Sequence, residues 1–308
     1  MHPKNTGVLL GLLFCFISAA FDVYVAFVTQ IIDTMVVIFY CFVSSMLLFL
    51  AYSLWLDKRS LILKLRQHWP LIAVVNISVL LNWGGLFYAL RFLEPAVVGV
   101  ASVACGPALT LIVSAFIKGT GKASSVETLI AILVLLSVAM MLFQSFVGQS
   151  GISSTSPEQR LIGIISVVLC ALGTVLYTIV SKKLFMRHWQ TCEILAVRNV
   201  LIVVVCSLFI TFSDVSFSLA VEWVLPMSVL VIAGHLLPIY LIQKTIFHLS
   251  AINVAFVLLT LPVFTLLLQF LDARVSFSIP SMAAVSFIVM LLVWLTLFNR
   301  HVKNRGLK

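Results

Sequence analysis

Charge is what this chain has least of. Only 9% of its 308 residues are Asp, Glu, Lys or Arg, against about 25% in an ordinary soluble domain. No water-facing surface can be assembled from so few charges. Acids are scarcer still, ten against nineteen Lys and Arg. The six histidines are dispersed, with no H-E-x-x-H pair and no repeated Asp motif, so hydrolytic metal chemistry has no ligand set to use. The six cysteines (Cys15, Cys41, Cys105, Cys170, Cys192, Cys206) form no C-x-x-C pair. Five of them fall inside apolar runs, where Cys behaves as a small hydrophobe, and Cys192 stands at the start of one. A phosphate-binding Walker loop is missing too, since Gly119-x-Gly121-Lys122 lacks its spacing. The expectation is a protein that is not an enzyme, with no cofactor and no metal, and not driven directly by ATP.

What is there is hydrophobic. Apolar residues make up 62% of the chain, and the mean hydropathy is +1.21. A membrane span needs roughly 20 apolar residues, and ten such runs are present, at about 7–28, 34–56, 70–91, 95–117, 126–147, 160–181, 192–213, 222–243, 250–271 and 277–299. Together they leave only short connections and no room for a soluble catalytic domain. The first run is too long for a secretory leader and lacks a small-residue cleavage site, so it reads as a retained span. Gly84-Gly85, Gly106-Pro107, Pro238 and Pro262 punctuate the runs; buried helix neighbours tolerate such breaks in a membrane.

The net charge of +9 is placed for a bilayer, not for nucleic acid. With the N-terminus cytoplasmic, fifteen basic residues fall on inner segments: Lys4; Lys58, Arg59, Lys64, Arg66; Lys118, Lys122; Lys182, Lys183, Arg187; Lys244; and Arg300, Lys303, Arg305, Lys308. The outer connections hold three, Arg91, Arg160 and Arg274, and Arg198 lies inside a span. That split follows the positive-inside rule and puts both termini in the cytoplasm. It fits an integral, multi-pass protein of the plasma (bacterial inner) membrane.

The second half echoes the first. An offset of 155 residues carries Pro107 onto Pro262, Ala96 onto Ala251, Thr110 onto Thr265 and Leu111 onto Leu266. Five spans per half is an odd number, so the second half is inverted relative to the first. The Gly/Ser/Pro-rich stretch 148–158 reads as the flexible junction. The expected fold is therefore an all-α integral membrane protein. It has ten transmembrane helices as two inverted five-helix repeats, residues 1–150 and 151–308. Inverted repeats are a common way to build a transporter.

In each half a span ends in an aromatic, Ala-containing stretch. A very short turn follows, then a small-residue span with a central proline: Tyr88-Ala-Leu-Arg-Phe-Leu-Glu-Pro-Ala to Pro107, and Lys244-Thr-Ile-Phe-His-Leu-Ser-Ala to Pro262. In this the chain resembles the drug/metabolite transporter superfamily, in its ten-helix EamA-like form. The arginine common in the second helix of a half is matched by Arg198 in Val197-Arg-Asn-Val. The first half departs, with Val37-Ile-Phe-Tyr-Cys-Phe and no arginine. The acid common after the proline helix is also missing there, where Lys118-Gly119 stands, and Asp272 is the nearest equivalent in the second half. The resemblance implies a cavity shared by the repeats, alternating access and small polar or amphipathic substrates, without fixing which.

Candidate residues follow from polarity inside the spans. Arg198 sits about seven residues into its span, or roughly 10 Å deep. Its planar fork suits a carboxylate or phosphate; the alternative is a side chain that caps carbonyls or reaches the interface. Asp22 is the one acid well inside a span. It could exchange a proton and couple transport to it, pair with a cationic substrate group, or only hydrogen-bond another helix. The two differ in depth by roughly 10 Å, so no direct ion pair is expected. Inversion pairs Tyr40 with Arg198 and Tyr177 with Asp22, giving an outer group (Asp22, Tyr40) and an inner one (Tyr177, Arg198). Near the midplane, Asn82, Trp83 and His235 could line the cavity: Trp83 as a stacking wall, His235 as a titrating or merely structural group. Pro107 and Pro262 are expected bend points in helices that pack as the seam between repeats. The function expected is a secondary-active exporter or exchanger of a small metabolite such as an amino acid. A flippase for a lipid or lipid-linked intermediate is the alternative. The expected partners are a small molecule and the lipid bilayer, with the chain a monomer or homodimer.

Overall fold

The computed structural model describes residues 3–116, 125–152 and 154–305, and all regular structure among them is helical. Lys118, Gly119, Lys122 and Lys308, used above for orientation and comparison, lie outside the described residues. Among the described residues, five helical runs are long and apolar enough to cross a membrane: Asn5–Val28, Thr34–Phe92, Pro157–Met186, Thr191–Phe212 and Val221–His248. Shorter apolar helices are Pro95–Gly106, Ala131–Phe146, Leu261–Leu271 and Ile279–Leu291.

The elements in chain order are α1 (Pro3–Val28), α2 (Thr34–Val79), a π turn (Leu80–Gly84), α3 (Gly85–Phe92), α4 (Pro95–Phe116), α5 (Ser125–Phe146), α6 (Pro157–Met186), α7 (Thr191–Val197) and α8 (Val200–Phe212). They continue with α9 (Val221–Val229), a second π turn (Leu230–Leu236), α10 (Leu237–His248), α11 (Ala251–Leu258), α12 (Leu261–Leu268) and α13 (Ile279–Arg305). Their ends follow local chemistry. Asp33 caps α2, its Oδ1 accepting the Met35 N–H at 2.8 Å, which satisfies an orphan donor of the first turn. The Gly/Ser-rich stretch stops at Ser156, which forms a reciprocal capping box with Gln159 around Pro157 at the first helical position.

Two features break the long run Thr34–Phe92. Within α2 the backbone leaves helical geometry at Asp57 (φ −158°, ψ 87°) and at His68 (φ −119°, ψ 21°), just ahead of Pro70. Residues 58–67 are thereby set off as a separate segment between two apolar stretches. Farther on comes the first π turn, carrying Asn82 and Trp83; the second interrupts Val221–His248 and carries His235.

The packing centres on α1 and α6. Helix α6 packs on α3, α4, α2 and the first π turn, while α1 packs on α10, α12, α11 and the second π turn. Helix α2 meets α7 and α8, α4 meets α12, and α5 meets α13. The seam against α6 is held by absent side chains. A methyl on Gly85 would strike the Ser166 carbonyl, and one on Gly173 the Asn82 backbone N. Small residues of this kind let helix backbones approach closely in membranes.

Polarity is turned inside out. The interior holds fully buried Ser45, Arg198, Asn199, His235, Gln243 and Thr265. The outside carries exposed Leu9, Phe16, Leu47, Leu136, Met140, Phe143, Leu225 and Leu267. So large an exposed apolar surface is foreign to soluble monomers and suits hydrocarbon as solvent.

Candidate functional site

Arg198 owes its position to a break. Helix α7 ends at Val197 and α8 begins at Val200, leaving Arg198 and Asn199 in a turn between them. A break deep in an apolar bundle frees backbone groups that water cannot reach, each costing several kcal/mol if left alone. Asn76 of α2 answers both sides of it. Its Nδ2 donates to the Val197 carbonyl at 2.9 Å, and its Oδ1 accepts the Leu201 N–H at 3.0 Å. Asn199 is tied in turn, its Nδ2 donating to Ser45 Oγ at 2.7 Å.

The Arg198 side chain is 0% exposed. None of its three guanidinium nitrogens has a hydrogen-bond partner among the described residues. Its one favourable contact is a cation–π stack, with the guanidinium carbon 4.9 Å from the Tyr177 ring centroid. The Tyr177 hydroxyl donates to Gln243 Oε1, and Gln243 Nε2 is left without a partner. The guanidinium thus faces one place with no acceptor to receive it among the described residues.

That place is a cavity of about 80 Å³ bounded by α1, α3, α4, α6, α10, α11, α12, the first π turn and Arg198. Arg198, Tyr177, Asn82, Trp83 and Asp22 all line it, together with Ser18, Ser102, Thr174 and Thr178. Asp22 is 3% exposed, with no hydrogen-bond or ion-pair partner among the described residues, and Ser18 Oγ one turn earlier is also unpartnered. Asn82 is held from α6, its Oδ1 3.0 Å from Thr174 Oγ1 and 3.4 Å from Cys170 Sγ. A single water needs roughly 10–15 Å³ of such space, so the cavity takes several waters or the polar end of a small molecule. Drug-sized pockets run to about 300–1,000 Å³.

Asp22 and Arg198 therefore share one cavity without forming an ion pair, which fits the depth difference read from sequence. Tyr40 is not among its walls. It lies only two turns into α2, where its hydroxyl donates to the Phe217 carbonyl at 2.7 Å and the neighbouring Phe39 packs edge-on against Phe217 at 5.1 Å. His235 is not among them either. It is fully buried beside Trp83, its ring 4.3 Å from Phe42, 5.3 Å from Trp83 and 6.5 Å from Phe21, with both ring nitrogens unpartnered. Pro262 stands in the first turn of α12, after the interruption at Leu259-Thr260. Pro107 falls within the single helix α4; its side chain lies outside the described residues. Ser18, Thr174 and Thr178 were not singled out from sequence. The signal was there, in helical spacing: Ser18 and Asp22 four residues apart, and Cys170, Thr174 and Thr178 likewise.

Two further clefts of about 330 Å³ each share no lining residue with this cavity. One is lined by Asp57, Ser60, Lys64, Gln190, Cys192 and Glu193 among others, the other by Asp33, Ser216, Ser218, Glu222 and Trp223. The first is bridged by Lys64, whose Nζ donates to both Glu193 oxygens at 2.8 and 2.7 Å and to the His188 carbonyl at 3.0 Å. Near the second, Arg91 donates to Thr34 Oγ1 at 2.8 Å, and its own carbonyl accepts from Gln30 and Arg274.

No family model matches the chain, and no curated protein matches it. A solved structure described simply as "Crystal structure of protein" is similar in fold. It shares 20% identity and a TM-score of 0.65, over 96% of this chain and 97% of its own. At that identity the likeness concerns the fold alone.

Proposed function

We propose that this chain is a secondary-active transmembrane transporter, an exporter or exchanger of a small metabolite such as an amino acid, working by alternating access. The observation that carries the reading is that Arg198 and Asp22, groups of opposite sign, line one cavity, each buried and each without a hydrogen-bond or ion-pair partner among the described residues. A buried guanidinium costs several kcal/mol unless something pairs with it. A molecule with a carboxylate at one end and an ammonium at the other would satisfy both walls at once, with the Tyr177 ring holding the guanidinium at the anionic end.

The drug/metabolite transporter superfamily in its ten-helix EamA-like form remains the family this reading favours. Two inverted five-helix repeats, 1–150 and 151–308, are consistent with the packing. In that scheme α3 against α6 mirrors α10 against α1, the two π turns fall in corresponding spans, and α2–α7, α4–α12 and α5–α13 are contacts between counterparts. Both termini would be cytoplasmic, in the plasma membrane, with rocking of the halves opening the cavity to each side in turn.

The deciding experiment is a thermal-shift screen of detergent-purified protein against small carboxylates, amines and zwitterions, repeated on Arg198→Ala. A zwitterion that stabilises the parent should lose about 100-fold in affinity in the variant, the usual scale for truncating one partner of a buried charge pair. A ligand that binds both forms equally would sink the assignment of this cavity as the substrate site.

A further inference from the structure

Residues 58–67 have two unlike faces. Toward the bundle stand Leu61, 1% exposed, and Lys64, which holds Glu193 at the start of α7. His68, just past the segment, accepts the Trp189 Nε1–H at 3.1 Å. These contacts moor the segment. The opposite face carries Lys58, Arg59, Ile62, Leu63, Arg66 and Gln67, all exposed. Lys58, Arg59 and Arg66 have no partner among the described residues. The nearby acids are occupied, Asp57 by capping the Ser60 N–H at 2.9 Å and Glu193 by Lys64.

Two further observations say what covers this face. Trp55 and Trp69 flank the segment at 81% and 67% exposure, and exposed tryptophans of this kind sit at headgroup level in membranes. The apolar side chains between them, Leu63 at 57% and Ile62 at 39%, continue an outward apolar surface through Leu54, Leu56 and Val74. A face bordered by interfacial tryptophans and continuous with an outward apolar surface fits lipid better than it fits a soluble macromolecule. Long basic side chains on such a border keep their stems on apolar surface and their heads in the polar layer. Exposed Lys183 and Arg187, close in sequence to His188, which Lys64 contacts, add to the same sign of charge.

We propose that residues 58–67 form a docking site for anionic phospholipid, with Lys58, Arg59 and Arg66 on headgroup phosphates and Ile62 and Leu63 in the acyl boundary. The site is separate from the central cavity and does not depend on the transporter reading. Detergent-purified full-length protein is titrated with phosphatidylglycerol, phosphatidylcholine or inorganic phosphate while Tm is followed. Phosphatidylglycerol should raise Tm and the other two should not. The rise should shrink in about 1 M salt, where charges are screened beyond about 3 Å. K58Q/R59Q/R66Q should need about 100-fold more phosphatidylglycerol for the same shift, since each basic residue near an anionic surface contributes roughly fivefold. Its Tm in phosphatidylcholine should match that of the parent. An equal response of variant and parent to phosphatidylglycerol overturns the proposal. So does an equal response of the parent to phosphatidylcholine, or to phosphate alone. If the triple variant does not fold, K58R/R59K/R66K and the salt series on the parent decide: a phosphatidylglycerol shift insensitive to salt overturns it.

Discussion

Asp22 and Arg198 are each expensive alone, and among the described residues neither has a hydrogen-bond or ion-pair partner, the Tyr177 ring being the one favourable contact of Arg198. Asp22 is buried and lines the cavity, so a proton or a cationic group arriving through the cavity is what can neutralise it. If it carries the coupling proton, Asp22→Asn in liposomes should abolish the response of transport to an imposed pH gradient while leaving exchange without a gradient in place. Uptake measured with and without the gradient decides this, and a variant that still responds as the parent does would remove Asp22 from coupling. Sequence made these two residues visible because an ionised group inside an apolar run stands out. It did not show that they converge. Depth along a helix can be counted from its start, but the direction a side chain points around the axis depends on every residue before it. That is why Tyr40, matched to Arg198 by depth alone, turned out to face the Phe217 carbonyl.

At the level of elements, the breaks in helices matter more than the helices. Arg198 enters the cavity from the α7–α8 turn, and Asn76 holds that turn from both sides. Asn76→Leu keeps roughly the volume and strands the Val197 carbonyl and the Leu201 N–H, at about 1–3 kcal/mol for each buried group left unpaired. The expected result is a clear fall in Tm together with weakened ligand binding, whereas Asn76→Asp, which keeps an acceptor for Leu201, should lose less. Asn76 is one of several amide side chains inside the apolar runs, and the break it serves is invisible until α7 and α8 are seen to separate. A second device is Lys64, which ties residues 58–67 to the start of α7 with side chains 19% and 11% exposed. Partial exposure discounts the pair to about 1 kcal/mol. Lys64→Met should loosen the cleft it bridges, and Cys192, on the cleft wall and partly exposed, should react about fivefold faster with a hydrophilic maleimide. An unchanged labelling rate would mean that the bridge does not control access.

Across the whole molecule, the helical character and the apolar stretches long enough to cross a membrane were readable from composition, since a bilayer dictates span length. What composition could not supply was which helices sit at the centre, and the close seams answer that. Helix α6 lies against the first π turn because Gly85 and Gly173 let the backbones meet. Gly173→Val places two methyls where the Asn82 backbone already is. Overpacking of this kind costs about 1–3 kcal/mol and should also disturb Trp83 in the cavity wall. Thermal unfolding in detergent would register the loss, and a fully stable valine variant would show that α6 and the π turn are free to move apart.

The π turns carry one further consequence, for the length of the chain. A π turn accommodates an extra residue in an otherwise continuous helix, and each residue advances a helix by about 100°. Forcing all the residues of Leu80–Gly84 into plain α-helical winding, with their number unchanged, would swing everything beyond them by about that angle. Gly85 would leave the Ser166 carbonyl, and a bulkier neighbour would take its place against α6. A substitution that closes the π turn therefore re-aims the whole remainder of the helix. A single-codon deletion in this run does not, because it removes the extra residue together with the turn that absorbs it.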